Sequence, residues 1–242
     1  SLLGLPPLST VDPGEIDFLI SLGGDGTILG ILHNYPGLKA PILGINLGGL
    51  GFMAEVPAQE IEQALQNLLA GNYTIHERMV IEGQLSPLKR SFAVNEIVIH
   101  RAQIPSLIDL SITVGGSYLN TFSSDGLILS TPTGSTAYNL AAGGPILAPD
   151  LNGIVITPIC PHTISYRPIV LNADSKISVS YQSDLPPAEI SFDGMPFYTM
   201  ASGESIDVSL SPKLFRVVSF GGNEIFFSAL RSKLNWTGRL KY

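Results

Sequence analysis

The informative residues of this sequence lie in four short stretches. The first is Gly23-Gly24-Asp25-Gly26-Thr27, which follows an apolar run and precedes a helical pattern. Glycine lets a chain turn sharply and approach a ligand with no β-carbon in the way. A helix that starts at such a turn points unpaired N–H groups at whatever occupies it, and a phosphate suits that place. The stretch is not a Walker A loop, because no Gly-Lys-Ser/Thr follows. Nor is it the dinucleotide fingerprint: Gly24 and Gly26 are correctly spaced, but the third small residue should fall at Leu29, and Gly30 comes one position late. A carboxylate at Asp25 would repel a phosphate held by the turn. It must therefore do something useful, either taking a proton from a hydroxyl nucleophile or holding Mg²⁺. The plain alternative is a tight turn with a local hydrogen-bonder.

The second stretch, Asn46-Leu47-Gly48-Gly49-Leu50-Gly51-Phe52, again follows a strand-like run. It is either a ligand loop on the same sheet edge or a structural turn. The third, Asn95-Glu96, pairs an amide with a carboxylate, which can grip vicinal sugar hydroxyls. By itself it reads equally as a strand-end turn. The fourth runs from Asp125-Gly126 to Thr131-Pro132-Thr133-Gly134-Ser135-Thr136-Ala137-Tyr138. Its hydroxyls and free helix N–H groups can read a nucleobase edge, and Tyr138 offers a face for stacking.

The elements that must position these residues fall into two styles. Ile16 to Leu22 reads as a strand covered on both faces of a parallel sheet, Thr27 to Leu32 as a helix start, and Pro41 to Ile45 as a second buried strand. After Pro57, Ile61, Ala64, Leu65, Leu68 and Leu69 recur at helical spacing until Gly71 stops them. This is βαβ grammar. From about Phe92 the runs become short and β-branched, among them Ala93–Ile99, Leu107–Val114, Leu127–Ser130, Gly153–Thr157, Lys176–Tyr181, Glu189–Phe192, Ile206–Leu210 and Phe215–Phe220. They predict an antiparallel β-sandwich, with a helix near Ala137–Ala142. The fold class is thus α/β followed by β: a Rossmann-like α/β domain over residues 1–92, with 223–242 packing back on it as a strand and short helix, and a β-sandwich domain over 93–222.

Composition excludes several classes. Hydrophobic residues make up 45% of the 242, enough for a substantial core. Net charge is −7, and no basic run is longer than Lys89-Arg90, so the footprint of a nucleic-acid binder is missing. An acidic protein with a polyanionic substrate must gather positive potential from backbone N–H groups, helix N-termini or a metal ion. Cys160 is the single cysteine, which rules out an internal disulfide and suggests a reducing compartment, hence the cytoplasm. His33, His76, His100 and His162 are scattered, and no Cys/His spacing suggests zinc. No stretch reaches a membrane span.

Taken together, the four stretches resemble the ATP-NAD kinase family. The Gly-Gly-Asp-Gly-Thr turn alone is shared with diacylglycerol-type lipid kinases and phosphofructokinases; Asn95-Glu96 and the Asp125–Tyr138 run are more specific. Further similarity runs through Pro161-His162, Arg167-Pro168, Phe192-Asp193-Gly194 and Leu230–Trp236. The resemblance implies phosphorylation of the adenosine-ribose 2′-hydroxyl of NAD by ATP with Mg²⁺, in a homodimer or homotetramer with active sites at a subunit interface. It implies Asp25 as proton acceptor, with NAD bound by Asp25, Gly26, Asn95, Glu96, Ser123, Asp125, Thr136, Ala137, Tyr138, Asn139, Leu140 and Ala141. The chain departs from the family pattern at Ala141, where a serine is common, at Ser123, where a basic residue is common, and at Met195, where a glutamine is common. Fewer residues than usual precede the first glycine turn, and Gln84 to Ser91 is short. A lipid kinase and a non-catalytic dinucleotide-binding regulator remain the rival readings.

Overall fold

The structure, a computed structural model, describes residues 7–49, 51–103, 105–163 and 165–236. The chain forms two compact units, Ser1–Glu77 with Phe215–Tyr242, and Arg78–Leu214. In the first, β1 (Leu19–Leu22), α1 (Asp25–Asn34), β2 (Ile42–Asn46), β3 (Val56–Pro57) and α2 (Ile61–Leu69) follow in order. β4 (Thr74–Ser86) carries the chain into the second unit. There follow β5 (Lys89–Ala93), β6 (Glu96–His100), β7 (Ile108–Val114), β8 (Ser117–Ser124), β9 (Gly126–Ser130) and the single-turn α3 (Tyr138–Ala141). β10 (Gly153–Ile159), β11 (Ile169–Asn172), β12 (Ile177–Tyr181), β13 (Ala188–Phe192) and β14 (Met195–Met200) complete it. β15 (Ser205–Ser219) returns to the first unit, where α4 (Asn223–Lys233) follows.

In the first unit the strands pair in parallel: β1 with β2 from Leu19↔Ile42 to Leu22↔Ile45, β3 with β2 at Ile45↔Val56, and the far end of β15 with β2 at Val217↔Ile42. Parallel pairing brings the strands' carboxyl ends to one edge, which is where both glycine stretches begin. β2 is buried along its whole length. β1 is not, contrary to the expectation of a strand covered on both faces. Leu19 and Ser21 point inward, whereas Ile20 is 43% and Leu22 55% exposed. Successive side chains of a strand point to opposite faces, and the described residues cover only one of them. Leu43, Ile45, Val56, Ala64 and Val218 form the core, joined by Phe18, Ile61, Leu68, Tyr73 and Phe220. The apolar stripe of α2 is narrower than the spacing suggested, since Leu69 points outward. Gly71, at φ +75°, lets the chain leave the helix. The tail is one helix, α4; among the described residues no strand follows β15, so the strand expected within 223–242 is not found there.

The second unit is a β-sandwich. One sheet has the strand order β11-β10-β9-β6-β13-β14, antiparallel throughout. In the other, β12 lies between β7 and the first part of β15, β8 pairs with β7, and β4 pairs with β5. Between them pack Ile97, Ile99, Leu127, Leu129, Ile154 and Ile156 of one sheet and Ile108, Leu110, Ile112, Ile177, Val179 and Ile206 of the other. The alternating burial of β12 and β13 is what this packing requires. The central strands β9 and β10 are buried on both faces. Val98, Ile128 and Ile159 form a second small cluster on the outer face, with Ala142 packed against it. A connection rather than a sheet covers that face, and it is the connection that carries the fourth stretch.

Candidate functional site

Asp25 begins α1, one residue after the Gly24 cap. Its Oδ2 accepts from the Phe52 N–H at 2.9 Å, and its Oδ1 accepts from Met53 N at 3.0 Å and Ala54 N at 2.9 Å. The first glycine turn is therefore laced to the second glycine stretch through one carboxylate. A carboxylate has about four lone-pair positions, and among the described residues these three bonds leave one on Oδ2. Gly51 makes the approach possible: a β-carbon there would collide with Asp25 Oδ1 and with the Ala54 carbonyl. Asn46, buried at the end of β2, fixes the loop from the other side, donating to the carbonyls of Gly49 at 2.8 Å and Ala54 at 3.2 Å while accepting from Gly48 N at 2.8 Å. The second stretch, ambiguous in the sequence, is thus a scaffold for Asp25. Leu50 lies outside the described residues. Gly26 is exposed in the first turn of α1, where free N–H groups collect positive potential.

The other candidate residues belong to the second unit. Asn95 and Glu96, at the start of β6, are buried. Their backbone is held by Asp193, whose Oδ2 accepts from Val94 N at 2.9 Å and whose Oδ1 accepts from Asn95 N at 2.7 Å and Glu96 N at 3.2 Å. Asp193 and Gly194 form the two-residue connection between β13 and β14, both at positive φ (51° and 77°). That turn favours Asp-Gly. The sequence marks the turn, but not that its aspartate reaches back to residues 94–96.

The loop after β9 packs on the same backbone. Thr131 N donates to the Asn95 carbonyl at 2.9 Å and Thr131 Oγ1 to the Val94 carbonyl at 2.5 Å. Gly134 lies against Asn95 so closely that a β-carbon would strike its backbone. Ser135 Oγ bonds Pro132 O at 2.6 Å and accepts from Leu147 N at 2.9 Å, locking the loop. The expected helix at Ala137–Ala142 is a 3₁₀ turn, Gly134–Thr136, followed by the four residues of α3. Tyr138, 40% exposed, presents its ring from α3. Asn139 is fully buried, donates to the carbonyls of Ser135 and Pro145, and accepts from Thr157 Oγ1 at 2.7 Å. Its bonds are spent on holding α3 to β10. Thr136 and Leu140 are half-buried, and Ala141 is exposed.

Glu96 is the electrostatic centre of this region. Burial first, and the charge of Asp193 second, push its carboxyl from 4.5 up to about 8, while the Tyr138 backbone N–H works the other way. Its Oε2 is buried and has no hydrogen-bond partner among the described residues. The Tyr138 phenol is pushed up by burial, then by Cys160, Asp125 and Glu96, which puts these groups within electrostatic reach of one another. Asp125 is tied to Arg101, Nε to Oδ1 at 2.6 Å. Ser123 is exposed and donates through Oγ to Asp109, and its carbonyl accepts from His162 N at 2.9 Å. Cys160 is exposed in a left-handed backbone conformation, φ 45°. Arg101, Asp193 and Thr157 are contributors that spacing did not disclose, since each acts from a distant strand or turn.

A glycine turn at the edge of a parallel sheet, together with a β-sandwich carrying a small-residue loop, is the architecture of a nucleotide-handling protein. The model of the ATP-NAD kinase N-terminal domain matches residues 7–73, and that of the ATP-NAD kinase C-terminal domain matches 94–220. The chain is similar to an NAD kinase of Protochlamydia amoebophila, 52% identical over 99% of this chain and 85% of that protein. It is also similar to an NAD kinase of Geotalea daltonii, 39% identical over 94% and 81%. Among solved structures it resembles yeast NADH kinase complexed with NADH, at TM-score 0.85 and 31% identity, covering 93% of this chain and 68% of that one. An Archaeoglobus fulgidus NAD kinase in complex with ATP superposes at TM-score 0.76 and 30% identity, covering 90% and 84%. The chain belongs to the ATP-NAD kinase family.

Proposed function

We infer that the protein transfers the terminal phosphate of ATP to the adenosine-ribose 2′-hydroxyl of NAD, giving NADP and ADP. One observation carries this above the rest: the similarity to proteins named NAD kinase runs along 99% of the chain and includes all four stretches. A lipid kinase would share the first glycine turn alone.

For the site we propose the following division of labour. The free lone pair of Asp25 Oδ2 accepts the proton of the attacking hydroxyl. The hydroxyl oxygen forms its bond to the γ-phosphorus as the bond from that phosphorus to the bridging oxygen of ADP breaks. The loose transition state of phosphoryl transfer asks little of the base early, so positioning supplies much of the rate. The fixed lacing of Asp25 to residues 52–54 supports that role, because the carboxylate needs no reorganisation. Gly26, with the N–H groups at the start of α1, faces phosphate. Asn95, Glu96, Asp125, Thr136, Ala137 and Tyr138 bind NAD, Tyr138 by stacking. Ser123, Leu140 and Ala141 line that region, and Asn139 holds it together from beneath.

Among the described residues no group of three or more His, Cys, Asp or Glu could hold a metal ion. The Mg²⁺ that accompanies ATP would take most of its ligands from phosphate oxygens and water. We further propose a homodimer or homotetramer in the cytoplasm, a reading supported by the family resemblance and the single cysteine. Among the described residues no helix is long and apolar enough to cross a membrane.

The test is incubation with NAD, ATP and Mg²⁺, with NADP read by an NADP-specific dehydrogenase. ATP-dependent NADP is the expected product; its absence with folded protein overturns the assignment.

A further inference from the structure

Glu96 and Asp193 place two carboxyl groups in one buried corner, and only one of them is equipped to be an anion. Asp193 accepts from the N–H groups of Val94, Asn95 and Glu96. Glu96 is 5% exposed, has the Tyr138 N–H against it, and leaves Oε2 buried with no hydrogen-bond partner among the described residues. An ionised carboxylate with an empty buried oxygen is costly, whereas a neutral acid in the same place lacks only one acceptor for its O–H. Among the described residues, the groups that act on Glu96 from other elements include no cation. They are Asp193 of the β13–β14 turn and Tyr138 of α3, and Tyr138 in turn is coupled to Asp125 and Cys160. Arg101 is paired with Asp125. The dinucleotide brings two further negative phosphates.

We propose that Glu96 meets NAD as a neutral carboxylic acid whose Oε2–H donates a hydrogen bond to an acceptor oxygen of the dinucleotide, and that Asp193 is the positioning residue that fixes this protonation state. The inference rests on the NAD reading above, and it makes this corner of the pocket a donor site. The rise of the Glu96 carboxyl to about 8 accords with it.

Calorimetric titration of NAD between pH 6 and pH 9.5 tests it. If the neutral form binds, affinity is full below the carboxyl's value of about 8 and falls above it, so that Kd rises about tenfold from pH 7 to pH 9. Glu96→Gln carries a permanent donor in the same shape: it should bind within a few-fold of wild type at pH 7 and lose the decline. Asp193→Asn removes the negative neighbour and should shift the decline to lower pH, an effect that loosened packing alone does not produce. The second measurement needs no ligand. Carboxyl-carbon NMR of glutamate-labelled protein, assigned by loss of one resonance in Glu96→Gln, should show Glu96 titrating near 8. A Glu96 resonance that titrates near 4.5, an NAD affinity flat from pH 7 to pH 9, or a folded Glu96→Gln protein that binds more than tenfold worse at pH 7 would each overturn the proposal. Protein that binds no NAD at any pH would refute the substrate assignment instead, while the NMR curve still decides Glu96.

Discussion

No β-carbon fits at Gly51: built there, it would collide with Oδ1 of Asp25, the carboxylate that the next residues, Phe52, Met53 and Ala54, hold through their N–H groups. The pair joins the two glycine stretches of the first unit into one construction. Neither stretch makes sense without the other, since the aspartate needs donors and the loop needs an acceptor.

Gly51→Ala should therefore damage activity through Asp25 without touching any substrate. Overpacking of this kind costs about 1–3 kcal/mol. Thermal unfolding should show that loss, and NADP formation should fall with it. A variant with unchanged midpoint and turnover would show that the loop yields freely.

Asp25→Asn separates lacing from chemistry. The amide oxygen can keep the two bonds on the Oδ1 side, but its NH₂ then faces the Phe52 N–H, leaving a part-buried donor unmatched at about 1–3 kcal/mol. If Asp25 also takes the hydroxyl proton, kcat should drop on the order of 10²–10⁴-fold while NAD still binds calorimetrically. Near-normal turnover would leave Asp25 a purely structural residue.

Tyr138→Ala and Asn139→Ala, neighbours in sequence, should fail in opposite ways. Tyr138 is 40% exposed, so its loss should barely move the unfolding midpoint but weaken NAD by about 1–3 kcal/mol through lost stacking. Asn139 is fully buried and bonds Ser135, Pro145 and Thr157. Removing it strands those partners and should cost about 2–4 kcal/mol of stability. Affinity loss in Asn139→Ala with stability intact would reverse the roles assigned to the two.

Glu96 also gives stability a pH dependence of known sign. Its carboxyl releases its proton at about 8 in the fold and near the ordinary 4.5 in the unfolded chain. The folded state therefore holds a proton that the unfolded state has lost, and this contribution to stability declines as pH rises from about 4.5 to about 8. Glu96→Gln should remove that decline, so the difference in unfolding midpoint between variant and wild type should grow in the variant's favour from pH 5 to pH 8. A difference constant across that window would mean that Glu96 is ionised throughout.

Much of this protein was legible in its residues. The periodicities at Ile61–Leu68 and from Phe92 onward carry the division into α/β and β-sandwich, because burial period follows directly from backbone geometry. Gly23 marks a turn, since few other residues adopt its φ of +155° cheaply. Strands β8 and β4 were not legible. β8 is almost wholly exposed, and β4 opens with exposed or half-buried Thr74, Ile75, His76 and Glu77, so neither shows the apolar alternation that announces a strand.

The tertiary structure alone decided which polar groups meet. Asp193 lies about a hundred positions from Glu96 in sequence, as the 97-residue separation of their bond records; Thr157 and Asn139 meet across two elements, and Asp25 reaches forward to residues 52–54. Hydrogen bonds between distant residues leave no periodic trace along the chain, because they depend on direction and distance in space. The sequence could name the residues with chemistry to offer, but only the fold could say that the Asn139 side chain bonds inside, that Asp25 holds three loop N–H groups, and that Glu96 Oε2 has no partner among the described residues.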